Sequence, residues 1–479
     1  MLRILYGTAG TGKSAAIMDE IRRGADSGER YILLVPEQYS HEAERELCAV
    51  CGDGLSLYAE VLSFTGLARE ISSECGGAAN EYLDKGGRLL CMALAADGLY
   101  SRLRVYGAAR RKAELQTMLL GAVDEFKSAC VTSERLLDAA ETCKGALGDK
   151  LHDLGLILEA YDGVVANGRA DPSDRLSVLA QQIGQCSMSE RTHVFVDGFT
   201  DFTAQERRVL EALLLKNVRL TMCLGCDELH GGSEVFALSR ITASALLKFA
   251  ADNGVKAQTE RRDGESTKAK PLGEFCENMF SYRAVEAGDA QGRIKIISAA
   301  DTNAECEFAA AEAVSLVRDT GCRWRDIAVC AKGFDDYRLP LESAFSRFGA
   351  PIYTARKADM LSKPLPMLIE SAYEIILGGW EADDVFDYLR TGFGGLDTDE
   401  CDELENYVFM WQLHGSAWTR AENWRLHPEG YGKQPDEASE QTLEQINLLR
   451  ETARRPLMRF AENAAAATTA TEQAQALAS

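Results

Sequence analysis

The feature that most limits what this chain can fold into sits at its start: Gly7-Thr8-Ala9-Gly10-Thr11-Gly12-Lys13-Ser14. The spacing is that of a phosphate-binding loop, G-x-x-x-x-G-K-[ST]. Such a loop needs a strand before it and a helix after it, and both patterns are present. Leu2-Arg3-Ile4-Leu5-Tyr6 is a mostly apolar run suited to a buried strand. Ile17 and Ile21 stand four apart, a helical spacing across residues 14–23. Glycines let the backbone curl so that several N–H groups converge on an anion, and the helix N-terminus adds partial positive charge. Lys13 would then reach the β- and γ-phosphates of ATP, and the Ser14 hydroxyl would hold Mg²⁺. The alternative, a glycine-rich turn with a chance Lys-Ser, does not account for the strand before it and the helix after it.

With 479 residues the chain is too long for one compact domain. Its 46% apolar and 26% charged residues are ordinary for a soluble globular protein. No run approaches the ~18 apolar residues of a membrane span, and no signal peptide is visible, so a cytoplasmic location is expected. The 14 cysteines are scattered, which favours reduced thiols over a disulfide framework. Two C-x-x-C pairs, Cys48/Cys51 and Cys223/Cys226, lack neighbours that would complete a zinc set, so buried thiols are the expectation. The net charge of −22 argues against a free-standing nucleic-acid binder that works by bulk electrostatics. It leaves room for a local groove, or for a partner that supplies the positive field.

Along the chain, residues 30–35 read as a second buried strand stopped by Pro36, with a helix over 41–50. A third strand is expected within 55–62. Strands alternating with helices imply a parallel α/β sheet, whose strand-end loops line the ligand crevice. The loops at residues 36–40 and 63–65 are therefore candidate substrate contacts. From about residue 67 to 185 helical periodicity dominates, and a basic cluster appears: Arg102, Arg104, Arg110, Arg111 and Lys112. It can be a solvated helix face or a phosphate-contacting patch.

The sheet pattern resumes at His193-Val194-Phe195-Val196-Asp197. An apolar strand ending in Asp is what a phosphate-loop protein needs opposite its lysine: a carboxylate that holds Mg²⁺ directly or through water. Lys13 and Asp197 are thus the candidate catalytic pair, with Ser14 and Asp197 as candidate metal ligands. Many such ATPases place a Glu after that Asp to orient the attacking water. Here Gly198 stands there, and Glu206 falls inside the next helix, so binding without efficient hydrolysis is expected. Residues 218–224 read as a strand, 236–250 as a helix, and 261–270 as a polar loop or linker. A second α/β unit is expected to begin with strands at 293–298 and 326–331, followed by helices from residue 363 onward. The chain closes on an Ala/Thr/Gln-rich stretch without returning to that small sheet, as a fragment would.

Taken together, these stretches resemble the AddB family, the B subunits of bacterial AddAB helicase–nucleases, and more distantly the UvrD/Rep-like superfamily 1 helicases. The resemblance rests on the opening loop, Val35-Pro36-Glu37-Gln38-Tyr39-Ser40, and Val61-Leu62-Ser63-Phe64. It continues through Val196-Asp197-Gly198-Phe199-Thr200-Asp201-Phe202 with Gln205-Glu206, Arg325-Asp326-Ile327-Ala328-Val329, Tyr388-Leu389-Arg390-Thr391-Gly392, Leu404-Glu405-Asn406-Tyr407 and Trp418. It implies two RecA-like lobes, each with a helical insertion. The first lobe would be residues 1–66 and 190–260 with insertion 67–189; the second would start over 290–355, with residues 356–479 as a truncated insertion. It also implies double-strand-end processing for recombinational repair, an AddA-like partner as the main motor, and single-stranded DNA held by a decayed motor. The family's iron–sulfur cluster belongs to a C-terminal nuclease domain that this chain does not reach, so none of its cysteines is assigned to it. Thr354-Ala355-Arg356-Lys357-Ala358 departs from the family pattern. Two other readings compete. A small-molecule kinase would explain Lys13 and Asp197 but not two α/β units. A structural subunit locked by ATP without turnover is compatible with the first reading.

Overall fold

The computed structural model describes residues 1–52, 54–76, 81–263, 270–278, 292–354 and 360–478. They form two compact units, residues 1–297 and 298–479.

The first unit is built on an all-parallel sheet. Its strands are β1 (Leu2–Gly7), β2 (Arg30–Leu34), β3 (Ala59–Leu62), β4 (Thr192–Val196), β5 (Arg219–Gly225) and β6 (Ala257–Arg261). Their order across the sheet is β3-β2-β4-β5-β1-β6. Side chains alternate between faces along a strand, and both faces here are covered by helices, which is why the inner strands read as nearly continuous apolar runs. Leu2, Ile4, Ile32, Leu34, Val194, Val196, Leu220 and Met222 pack beneath α3 (Phe64–Glu74), α8 (Arg175–Gln182), α9 (Ala204–Leu215) and α10 (Ala237–Asp252). Leu5, Leu33, Phe195 and Cys223 point the other way, against α1 (Lys13–Arg23) and α2 (Ser40–Cys51). Buried on that same face, His193 shares a 2.8 Å hydrogen bond with Thr221 and stacks on Phe195.

Between β3 and β4 lies a bundle of α4 (Lys85–Gly98), α5 (Ala113–Ser128), α6 (Ser133–Thr142) and α7 (Ala146–Val165). Its own core, around Met92, Leu120, Ile157 and Tyr161, is separate from those of the sheet. Its two ends meet: Tyr82 and Ala170 form a parallel bridge, with the Leu83 N–H on the Ala170 carbonyl at 2.9 Å and the Ala170 N–H on the Glu81 carbonyl at 3.0 Å. Inside the bundle is a buried charge network. The Lys127 ammonium meets Asp162 at 2.9 Å, Asp171 at 3.1 Å and Asp174 at 2.7 Å. Arg88 meets Asp171 at 3.0 Å and also pairs with Asp124. The Tyr161 hydroxyl donates to Asp171 at 3.0 Å.

Three of the five residues of the basic cluster form ion pairs within this bundle. Arg110 and Arg111 pair with Asp97, and Arg104 pairs with Asp149. Arg110 also lies 3.9 Å over the Tyr100 ring.

Two departures from the sequence reading have the same cause. β6 is an edge strand of mostly exposed, polar residues, so it carries no apolar signal; it is ordered by pairing with β1. Conversely, residues 293–298 and 326–331 are apolar enough for strands, but neither joins a strand ladder among the described residues. The expected third strand begins only at Ala59, after a 3₁₀ turn at Leu55–Leu57. Most of the expected linker after residue 263, and most of the stretch 354–358, lie outside the described residues.

In the second unit, α12 (Thr302–Thr320) packs on α13 (Phe334–Arg347) through Cys306, Ala310, Leu341 and Phe345. In chain order α11 (Lys270–Asn278) precedes them, in the first unit's residue range. A second core gathers α14 (Pro364–Gly378), α15 (Ala382–Arg390), α16 (Thr398–Trp411), α17 (Ser416–Thr419), α18 (Glu437–Ala466) and α19 (Ala470–Ala478) around Trp418, Trp424, Leu404 and Leu449. Buried Arg450 donates to the carbonyls of Ala417, Trp418 and Glu422 at 3.0 Å and of Arg420 at 2.6 Å, pinning the loop after α17.

Candidate functional site

The site is assembled at the carboxyl ends of β1, β4 and β5. β1 runs into the loop of residues 7–14, and α1 starts at Lys13. Gly10 and Gly12 have φ of 86° and 78°, a region side chains disfavour, and this turns the chain into the helix. Gly7 is required by space: a Cβ there would stand 2.5 Å from the Arg262 carbonyl oxygen and 2.7 Å from Thr11 Oγ1. The loop is thus wrapped tightly against the end of β6. The Thr11 hydroxyl donates to the Thr8 carbonyl at 3.0 Å and closes the curl.

Lys13 Nζ donates to the carbonyls of Gly7 and Thr8, both at 2.7 Å. Its third neighbour, Thr11 Oγ1 at 3.5 Å, is also neutral. Burial lowers its pKa, only partly offset by the Asp197 carboxylate. An ammonium on neutral acceptors keeps its charge uncompensated, which is the condition for receiving an anion.

Asp197 follows β4. Its N–H donates to the Leu34 carbonyl at 3.0 Å, continuing the ladder for one residue. β5 lies between β1 and β4, so the ends of those two strands are about 10 Å apart, two strand spacings. That gap suits a phosphate and a hydrated cation. Burial raises the Asp197 pKa, opposed by the Ser14 hydroxyl, the Gly198 N–H and Lys13, in that order. Lys13 and Ser14 therefore share one electrostatic environment with Asp197, which is distant in sequence. The donor set fits a magnesium–nucleotide: backbone amides and an ammonium for phosphate, a hydroxyl and a carboxylate for the cation.

Three features here were not legible from the motif. Gly198 has φ of 81°, and a Cβ on it would sit 3.1 Å from Pro36 Cδ. A side chain at that position would meet both a left-handed backbone and a tight contact with Pro36. Tyr39 comes within electrostatic reach of Asp197. Its hydroxyl donates to Glu46 at 2.9 Å, and burial, with Glu46, pushes its pKa to about 12. Cys223, buried in β5, has its thiol pushed up by burial and then by Asp197, so it stays protonated. Glu206 is committed elsewhere: it accepts the Thr203 N–H at 2.8 Å in a capping box that starts α9.

The two candidate substrate loops touch each other. Ser63 donates to Glu37 at 2.9 Å and caps α3 through the Gly66 N–H at 3.1 Å. Phe64, Phe199 and Phe202 form an aromatic cluster beside them, with ring centroids 4.9–6.1 Å apart. Of the C-x-x-C pairs, Cys48 is exposed and Cys51 half-buried on α2, while Cys223 and Cys226 are buried.

Comparison with known proteins gives a consistent result. A family profile described as "ADDB, N-terminal" matches residues 4–273. The chain is 31% identical over 476 residues to the B-type chain of the ATP-dependent helicase/deoxyribonuclease of Acetivibrio thermocellus, covering 96% of this chain and 41% of that protein. It is 32% identical over 502 residues to the corresponding protein of Desulforudis audaxviator, covering 99% and 43%. For that from Thermoanaerobacter sp. the figures are 29% over 487 residues, covering 99% and 42%. The chain thus spans about two fifths of the length of these curated relatives.

Proposed function

From the premise that the chain belongs to the AddB family, whose N-terminal profile matches more than half of it, we propose that it is a nucleotide-binding, helicase-like part of a DNA helicase–nuclease. It would process double-strand-break ends for recombinational repair together with an AddA-like partner. ATP with Mg²⁺ would dock on residues 7–14. The loop amides and Lys13 would hold the phosphates, and Ser14 and Asp197 would hold the cation, which when bound supplies charge neutralisation between phosphate oxygens. What supports this reading is that β1 and β4 end two strand spacings apart, with Lys13 and Ser14 beyond one and Asp197 beyond the other, within electrostatic reach of each other.

The reading includes a degenerate motor. Gly198 offers no group to orient water, and its backbone conformation opposes adding one. The site then favours holding nucleotide over turning it over, with single-stranded DNA contacted at the loops of residues 36–40 and 63–65. Three arrangements named earlier stand as part of this proposal: the domain limits, the second RecA-like lobe begun over 290–355, and an iron–sulfur cluster confined to a region outside this chain.

The test has two arms. ATP–Mg²⁺ binding by the purified protein should saturate and should vanish in Lys13→Ala. Single-stranded DNA should bind the protein with its AddA-like partner above the level of an unrelated acidic protein. Phosphorylation of a metabolite pool would instead favour a kinase.

A further inference from the structure

The stretch from Asp197 to Gln205 begins at the candidate cation site and ends at the helical bundle. Little in it is slack. Gly198 turns the chain sharply, the rings of Phe199 and Phe202 pack on Phe64, and the Thr200 carbonyl accepts from Thr242 at 3.4 Å. The capping box of Thr203 and Glu206 then fixes the start of α9. Gln205, buried in the first turn, does not face solvent as a helix-start glutamine ordinarily would. Its amide donates to the Ser173 carbonyl at 2.8 Å and to Ser177 Oγ at 3.0 Å.

Ser173 is itself part of the charge network. Its N–H donates to Asp171 at 3.0 Å, and its hydroxyl accepts from Arg88 at 3.3 Å. The fully buried Asp171 carboxylate gathers Arg88, Lys127 and Tyr161, one residue from each of α4, α5 and α7. A continuous line of covalent and hydrogen bonds therefore runs from Asp197 through Gln205 into the bundle.

We propose that Gln205 is a positioning residue that passes nucleotide occupancy at Asp197 to the helical bundle, so that the bundle's base is ordered differently with and without nucleotide. The proposal rests on the nucleotide-binding reading above. Engaging Asp197 from the phosphate side pulls on a segment whose aromatic and capping contacts leave few ways to absorb displacement. The movement then falls on the Gln205 amide and on Ser173 and Ser177. Two sites coupled through packed and hydrogen-bonded elements commonly influence each other by about fivefold or more.

Amide hydrogen exchange of the intact protein, with and without ATPγS–Mg²⁺, tests this. In the native sequence nucleotide should slow exchange both in residues 7–14 and in residues 171–182, the latter by about fivefold. Gln205→Glu keeps the shape but cannot donate to the Ser173 carbonyl; Gln205→Ala removes the amide altogether. Both should keep the response at 7–14 and lose that at 171–182, while Lys13→Ala should lose both. A response at 171–182 that survives in both Gln205 variants overturns the proposal. So does its absence from the native protein when residues 7–14 respond. No response at 7–14 in the native protein sinks the nucleotide-binding reading itself, and the proposal with it.

Discussion

Lys13 and Lys127 lie in the same unit, the first half-buried and the second buried, in opposite surroundings. Lys127 is ringed by Asp162, Asp171 and Asp174. Burial alone would lower its pKa, but Asp174, Asp162 and Asp171 outweigh that and raise it. Lys13 donates to neutral oxygens, and burial lowers its pKa. The difference separates two uses of one side chain. An ammonium completed by the fold's own carboxylates is structural. One left on neutral acceptors stores attraction for an anion from outside.

The strongest way to break this contrast is Lys127→Met. Removing the cation leaves buried Asp171 with Arg88 as its remaining paired cation, and such loss typically costs about 3–5 kcal/mol. The expected result is a large fall in the denaturation midpoint. A loss under about 1 kcal/mol would place Lys127 among ordinary surface pairs. Lys13→Ala should do the reverse. Without nucleotide its stability should stay within about 0.5 kcal/mol of native. The stabilisation from ATP–Mg²⁺, about 2.7 kcal/mol at a hundredfold excess over Kd, should disappear; thermal shift assays would show both.

A smaller effect concerns the carboxylate side. Gly198→Ala should cost about 1–2 kcal/mol for a left-handed residue pressed on Pro36. Gly198→Glu should incur the same strain without raising ATP turnover; a turnover gain would show that the backbone yields.

The smallest effect is in alkaline pH, and its sign differs between the lysines. Lys127's pKa is raised on folding, so its contribution is whole below about pH 10.4 and fades above it, by at most about 1.4 kcal/mol per pH unit. Lys13's pKa is lowered, so between its folded and unfolded values the unfolded chain binds more protons and stability rises with pH. Chemical denaturation across that range should show the falling slope lost in Lys127→Met and the rising one lost in Lys13→Ala.

Much of the candidate site was readable as a pattern, because binding a phosphate would demand particular residue types at fixed spacing. Residues 7–14 and Asp197 announce themselves that way. Gly198 was readable as an absence, but the reason for it, a positive φ against Pro36, depends on the end of a neighbouring strand far away in sequence. β6 was hidden because an edge strand takes its order from backbone pairing and not from apolar side chains. Residues 293–298 and 326–331 misled for the converse reason: side-chain pattern proposes a strand, but only a partner completes one. The basic cluster read as two possibilities, and Asp97 and Asp149 take up three of its arginines. Gln205 was visible only as part of a motif; its burial, which reverses a glutamine's usual preference, shows only once Ser173 lies beside it.

The pinch at Tyr82 and Ala170 makes the polypeptide enter and leave the helical bundle at nearly one point. A graft that exchanged residues 83–169 for another bundle would need to shift no strand. It would carry one chemical condition. Asp171 lies just outside the exchanged stretch, so the newcomer must bring a guanidinium and an ammonium to where Arg88 and Lys127 now stand, or leave a bare interior anion at the seam.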